Sequence, residues 1–414
     1  MRAMIYRLCC QCYRRLLAAA NTVTTNDAVI GGGVGGKSLL LVEHGLRHHH
    51  HHQRSSSSSS SNQLSVLFYG SDDFSLPTLR LLADNYQLAA AVDDDDGGDG
   101  GSGQQQQQRQ VIRQLDVVLS SPKNIIARYA HDRQLTCHEF PYDLPPTDGV
   151  YDIGVVASFG HLIPGRAIRS CRLGMLNIHG SLLPRWRGAA PVNYAVLNGD
   201  QRTGVTIMRI APKRFDIGDI VAQAGYPVPP RITARQLKAE LAPIGAQLLW
   251  ECLLDIDNKL LNSRPQSSSG ITYAPKFDDS YGLIDWSTMT ATEVDRRFRA
   301  FIDFIDIYSH WTDGSRLRLY DLVDPELVAT FDLKRLSGYD DTGRPGPGCI
   351  YYHKKRRLLC VSSAQNTWSA FGSVAVKGHK RMSAHQFNNG FIKRLETSVP
   401  IMLRSDMSSS SSSL

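Results

Sequence analysis

Residues 177–191 read Asn-Ile-His-Gly-Ser-Leu-Leu-Pro-Arg-Trp-Arg-Gly-Ala-Ala-Pro, and the rest of the chain is read outward from them. The apolar run Gly174-Met175-Leu176 just before them predicts a buried strand, with Asn177 and His179 emerging near its C-terminal end. Period-two geometry then turns both side chains to the same face. An amide donor and an imidazole on one face can stabilise an oxyanion and move a proton at a carbonyl under attack. Taken alone, the pair reads more readily as a turn asparagine and a satisfied polar residue at a strand end, because so short a motif is common.

The flanking residues shift that balance. The whole stretch resembles the signature of the formyltetrahydrofolate-dependent formyltransferases, and Ser181 to Pro191 is similar to the methionyl-tRNA formyltransferase branch in particular. The resemblance implies an α/β fold, with a Rossmann-like formyltransferase domain of mostly parallel sheet followed by a C-terminal OB-like β-barrel domain.

A length of 414 residues suggests two or three domains, and 42% hydrophobic residues is enough for ordinary cores. No uninterrupted apolar stretch is long enough for a membrane span, so no membrane association is expected. Outside a leader that holds Cys9, Cys10 and Cys12, the remaining cysteines 137, 171, 252, 349 and 360 are scattered, which argues against a zinc site and against a disulfide framework. The formal charge of +7 is unevenly placed: eleven Lys or Arg face two acids between Asp341 and Arg404. The basic character therefore belongs to the C-terminal part.

Residues 1–26 carry Arg2, Arg7, Arg14 and Arg15 and no acid before Asp27, the composition of a mitochondrial transit peptide. With the low-complexity tail behind it, this leader is expected to span residues 1–62. Gly31 to Ser38 fits the phosphate-loop pattern, but it runs into histidines 48–52 and serines 55–61 where a packed helix is required. We read it as a chance match.

Order is expected from about residue 63, in a catalytic domain over 63–262. Ser65 to Gly70 predicts a strand and Phe74, Leu76, Leu79 and Leu82 a helix, the opening βα unit of an α/β sheet. Gly70-Ser71-Asp72-Asp73-Phe74 is similar to the family's first turn, which implies that Phe74 lies near the aminoacyl group; a helix staple is the plainer alternative. A strand over 88–92 leads to Asp93–Asp96 and Gln104–Gln108, where bacterial relatives carry a basic loop for the tRNA acceptor stem. Acids repel phosphate, so Arg109 and Arg113 are the available substitutes. Further elements are a helix through Ile126, Tyr129 and Ala130, a strand near 136–140 and a buried strand over 152–158. Phe159 to Pro164 resembles the turn whose backbone lines the pterin pocket, with His161 read as a surface residue. A helix over 192–198 and a strand over 204–208 follow, then Asp216-Ile217-Gly218-Asp219, similar to the family's acidic D-x-G-D turn.

Thr233 to Gln236 is a capping box opening a helix, read as a packing element only. Residues 263–270 read as a linker and 271–404 as the second domain, tailed by serine-rich residues 405–414. A capping box at Thr290–Glu293 starts a helix bearing Val294, Phe298 and Phe301. Strand-like runs follow at Trp311, 317–320, 350–352, 358–361 and 374–376, and short strands with Gly and Pro turns indicate a small barrel. Lys354–Arg357, Lys380-Arg381 and Lys393-Arg394 make one face of it a seat for an RNA backbone, or a plain solvated surface.

Read together, these residues fit attack of a primary amine on the formyl carbon of 10-formyltetrahydrofolate, a co-substrate, with no metal required. Asn177 and His179 would hold the oxyanion and Asp216 would accept the amine's proton. The resemblance implies folate contacts from Ser181, Leu182, Leu183 and Pro184, and an acceptor amine on initiator methionyl-tRNA. It also implies a role in mitochondrial translation initiation, for a protein expected to act as a monomer in the matrix. A formyltransferase acting on a small amine would share the three polar residues and not need the basic domain. A non-catalytic RNA-binding protein would need only the basic domain.

Overall fold

A computed structural model of the chain describes residues 63–87, 110–142, 149–212, 214–333, 345–395 and 401–405. All of them fall within the unit Ser61–Leu414. The expected leader with its glycine, histidine and serine runs, the strand over 88–92, the acidic insert with Arg109, and the serines beyond Ser405 lie outside the described residues.

In chain order the first part contains β1 (Leu64–Gly70), α1 (Leu76–Gln87), β2 (Ile112–Leu119), α2 (Ile125–Asp132), β3 (Thr136–Glu139), β4 (Ile153–Ala157) and β5 (Met175–His179). It continues with α3 (Pro191–Leu197), β6 (Arg202–Arg209), β7 (Ile220–Pro227) and α4 (Ala234–Leu254). The strands form one seven-stranded sheet ordered β3-β2-β1-β4-β5-β6-β7. The first five run parallel, while β6 and β7 are antiparallel to their neighbours. A parallel strand is covered on both faces, and β1 is buried at every residue. Val66 and Phe68 meet Leu79, Leu82 and Leu237 on one face, whereas Leu67 and Tyr69 meet Val118, Phe159 and Met175 on the other. The strand order reverses between β1 and β4, and in open α/β sheets such a switch opens a crevice at the carboxyl ends of the strands. Ser71 ties those ends together: its hydroxyl lies 2.8 Å from that of Ser120 beyond β2 and donates to the Phe159 carbonyl beyond β4 at 3.1 Å.

Strands β2 and β7 had no counterpart among the sequence expectations. The expected helix over 192–198 begins one residue earlier, at Pro191, whose fixed φ suits a first helical turn. Helix α4 starts at the expected capping box, with the Thr233 hydroxyl accepting from Gln236 N–H and the Gln236 side chain accepting from Thr233 N–H.

The second part contains α5 (Ala291–Phe301), β8 (Tyr308–His310), β9 (Arg316–Leu322), β10 (Ile350–His353), β11 (Leu358–Ser363), β12 (Thr367–Val376), β13 (Met382–Ser383) and α6 (Ala384–Gly390). Its sheet runs β10-β11-β12-β9-β8, with β13 on β12, all antiparallel. Residues 401–404 bond to both outer strands. The Ile350 N–H donates to the Ile401 carbonyl and the Leu403 N–H to the Gly348 carbonyl, each at 2.9 Å, and His310 and Arg404 exchange both backbone bonds at 3.0 Å. That segment closes the sheet into the expected barrel. Trp311, expected in a strand, instead sits in the turn after β8, its N–H donating to the Ser315 carbonyl at 2.8 Å. Among the described residues, no helix is long and apolar enough to cross a membrane.

Candidate active site

At the switch point lies a cavity of about 830 Å³, within the range that encloses a small organic ligand. Its walls come from the ends of β1, β4 and β5, from the turn 159–163, from the start of α3, from Arg214–Asp216, and from Pro275–Phe277 and Phe304 of the second part. Asn177, His179 and Asp216 all border it.

Strand β5 runs through His179, so Asn177 and His179 point to one face as their spacing requires. The Asp216 carboxylate meets both from across the cavity: Oδ1 lies 3.5 Å from Asn177 Nδ2 and 3.7 Å from His179 Nδ1. Its Oδ2 accepts the Gly188 N–H at 2.9 Å. His179 is only 5% exposed and Asp216 9%, so these two groups face each other away from bulk water, with the half-buried Asn177 beside them. His179 Nε2 is 2.9 Å from the Trp186 carbonyl oxygen. A carbonyl only accepts, so Nε2 carries a hydrogen and Nδ1 is the atom left to work in the cavity.

The residues behind these groups explain the signature's Arg-Trp-Arg-Gly. Asp200 accepts from Arg185 at 2.6 and 2.8 Å and from the Trp186 indole at 2.8 Å, and the Arg185 guanidinium stacks 4.2 Å from the Trp186 ring. That fixes the carbonyl on which His179 leans. Arg187 pairs with the second part, its N–H donating to the Thr272 carbonyl at 2.9 Å while its carbonyl accepts from Ala274 at 2.7 Å. At Gly188 the backbone turns with φ 124°, and a β-carbon would fall 2.5 Å from the Ala274 oxygen. Glycine is needed there on both counts.

Asp216 itself has φ 54°, a left-handed conformation that an ordinary residue adopts only when its surroundings hold it. Gln266 does the holding, its Nε2 donating to the carbonyls of Asp216 and Gly218, each at 2.9 Å. Gln266 Oε1 in turn accepts from Arg187 at 2.7 and 3.0 Å. The linker expected over 263–270 is thus part of the site's scaffold. Gly218 allows the turn to press on β6, since a β-carbon there would lie 1.8 Å from the Arg209 carbonyl oxygen.

Ser181, Leu182, Leu183 and Pro184, expected as folate contacts, follow directly on the cavity residues His179 and Gly180 and are not themselves among the residues that line it. The turn folds back onto β6, where Thr206 Oγ1 accepts from Leu183 N–H at 3.1 Å and donates to the Ser181 carbonyl at 2.7 Å. Leu183 packs against Met208, which does border the cavity, so the turn acts one layer behind the wall. Phe74 is buried and on the wall, and His161 is exposed on its rim. Arg113, considered for the acceptor stem, is instead paired with Asp152 at 3.0 Å. Helix α4, read as packing alone, sends Lys238 to the cavity. Neither Lys238 nor Gln266 carries a signal in the sequence. Among the described residues, no group of three or more His, Cys, Asp or Glu is placed to hold a metal ion.

A Formyl transferase family model matches residues 148–253, and a Formyl transferase C-terminal domain model matches 276–392. The chain is 38% identical to the mitochondrial methionyl-tRNA formyltransferase of Mus musculus over 331 residues, covering 79% of this chain and 78% of that protein. It is 37% identical to the Homo sapiens protein of the same name, covering 79% and 77%. With the methionyl-tRNA formyltransferase of Coxiella burnetii it shares 32% identity over 324 residues, 76% of this chain and 98% of that one. Solved structures are more distant: an N-formyltransferase from Helicobacter canadensis has 15% identity and a TM-score of 0.48 over 75% of this chain and 99% of its own.

Proposed function

Because this chain belongs to the methionyl-tRNA formyltransferase family, we propose that it transfers the formyl group of 10-formyltetrahydrofolate to the amino group of initiator methionyl-tRNA. The product, formylmethionyl-tRNA, would serve translation initiation in the mitochondrial matrix, where the mammalian relatives' names assign those proteins to mitochondria. The observation that carries this reading is that Asn177 and His179 both come within 3.7 Å of the Asp216 carboxylate at the cavity.

In the proposed reaction the neutral amine attacks the formyl carbon, and the carbonyl electron pair moves onto oxygen. The Asn177 amide and a hydrogen on His179 Nδ1 hold that oxyanion. Asp216, directly or through a water, takes the proton shed by the attacking nitrogen. When the carbonyl reforms, the bond to the folate nitrogen breaks, and that nitrogen leaves with the proton. Formylated amine and tetrahydrofolate result, with nothing oxidised or reduced. Backbone groups of the turn 159–163 are the proposed donors and acceptors for the flat pterin edge, with Ser181, Leu182, Leu183 and Pro184 as the further proposed folate contacts.

The test offers purified protein 10-formyltetrahydrofolate with charged initiator and elongator methionyl-tRNAs and separates formylated from free methionine. Formyl transfer to the initiator species is expected; none to either tRNA would end the enzyme assignment.

A further inference from the structure

Helix α4 brings to the cavity a cation that the proposed chemistry leaves unused. Lys238 Nζ lies 2.6 Å from Asp72 Oδ2, across the crevice between α4 and the turn after β1. Asp72 Oδ1 accepts the Phe74 N–H at 3.0 Å, so one carboxylate fixes both the aromatic wall residue and the ammonium. An ammonium has three N–H donors, and the Lys238 side chain stays 29% exposed beside its partner. It is therefore held in place with donors to spare.

Its position within the fold favours a particular ligand. Arg235 lies one turn before Lys238 on the same stripe of α4. The Arg235 guanidinium donates to the Asp303 carbonyl at 2.8 Å and sits 5.7 Å from the Phe304 ring. Lys238 thus lies at the seam where the second part walls the cavity with Phe304 and Pro275–Phe277. Around the whole cavity the cations Arg214, Lys238 and Lys276 outnumber the carboxylates Asp72 and Asp216. A polyanion that delivers an amine to Asn177 and His179 enters a cavity lined by these cations.

We propose that Lys238 is a specificity-determining contact for the acceptor, binding a phosphodiester next to the 3′ end of the aminoacylated RNA. The inference rests on the methionyl-tRNA reading above. Asp72 pre-sets the ammonium, so little side-chain entropy is lost when the phosphate arrives.

The experiment is steady-state kinetics on the full chain and on Lys238→Met and Lys238→Arg, varying each substrate in turn. Lys238→Met is expected to raise KM for methionyl-tRNA about tenfold and to reduce the salt slope of its logarithm by about one, as loss of one phosphate contact does. KM for 10-formyltetrahydrofolate and kcat should stay within about twofold of the parent, because Asn177, His179 and Asp216 are untouched. Lys238→Arg should restore the acceptor KM. A rise confined to the folate KM overturns the inference, because the cation then serves the donor's carboxylates. A fall in kcat alone also overturns it, because Lys238 is then only a tie to Asp72. Should the parent formylate methionyl-tRNA while its KM is indifferent to Lys238, this inference alone fails. If the parent does not formylate methionyl-tRNA at all, the functional reading fails and takes the inference with it.

Discussion

The side-chain amide of Gln266 donates to the backbone carbonyl of Asp216 at 2.9 Å, from a segment fifty residues further along the chain. It clamps a left-handed residue whose carboxylate faces the reacting groups. Gln266→Glu keeps an acceptor for Arg187 and loses both amide hydrogens. We expect kcat to fall roughly ten- to a hundredfold, the range in which small misplacements of a reacting group are felt. Single-turnover rates alongside a thermal melt make the test. An unchanged rate would mean that the Asp216 loop keeps its shape without the clamp.

Asn177→Ala and Asp216→Ala each remove one of the converging polar groups and leave the buried strand β5 and the Gly218 contact intact. Each should lower kcat on the order of 10²- to 10³-fold, the usual cost of losing one such group. Far-ultraviolet circular dichroism should match the parent. Full activity in both variants would refute the site.

The exposed Lys354 and Lys355 lie on the turn between β10 and β11. Lys354→Ala and Lys355→Ala should each weaken methionyl-tRNA binding and lower its salt slope by about one, with the folate KM unchanged. Binding measured across a salt series decides this; slopes equal to the parent's would make these lysines mere solvated charges. Deleting residues 271–414 is a poorer test of a small-amine alternative, because it strips Pro275–Phe277 and Phe304 from the cavity wall.

Burial alone pushes the Asp152 carboxyl up, but the Ser65 N–H and hydroxyl and the Arg172 and Arg113 guanidiniums outweigh it and hold the group below the ordinary carboxylate range. A depressed folded-state value means stability that is fully present above the unfolded value of about 4 and lost as pH falls through the folded one. Asp152→Asn should cost roughly 1–2 kcal/mol at neutral pH, in line with hydrogen bonds to a charged group. The deficit should shrink on acidification to about pH 3. Urea unfolding at the two pH values measures it, and an equal deficit at both would contradict the assignment.

Much of this was legible in the sequence because it is local. The spacing of Asn177 and His179 on one strand, the capping boxes at Thr233 and Thr290 and the glycine beside Asp216 are all set by residues within a turn of one another. What could not be read is long-range. Lys238 meets Asp72 across 166 positions and Gln266 meets Asp216 across fifty, and neither residue type is unusual for a helix face or a linker. Strand β7 escaped because it is a half-exposed edge strand with a glycine, lacking a continuous apolar run. The bonds that tie the turn Ser181–Pro184 to Thr206 of β6 are long-range in the same way.

The short segment 401–404 bonds to the two outer strands of the second sheet, so neither β8 nor β10 has a complete set of neighbours until it arrives. During synthesis the ribosome must therefore deliver more than ninety residues beyond β8 before the barrel can shut, and until then two open strand edges face the crowded interior of the cell. A nonsense mutation falling after α6 and before Ile401 would leave those edges open permanently. It would act through misassembly and proteolysis, with every reacting group still encoded.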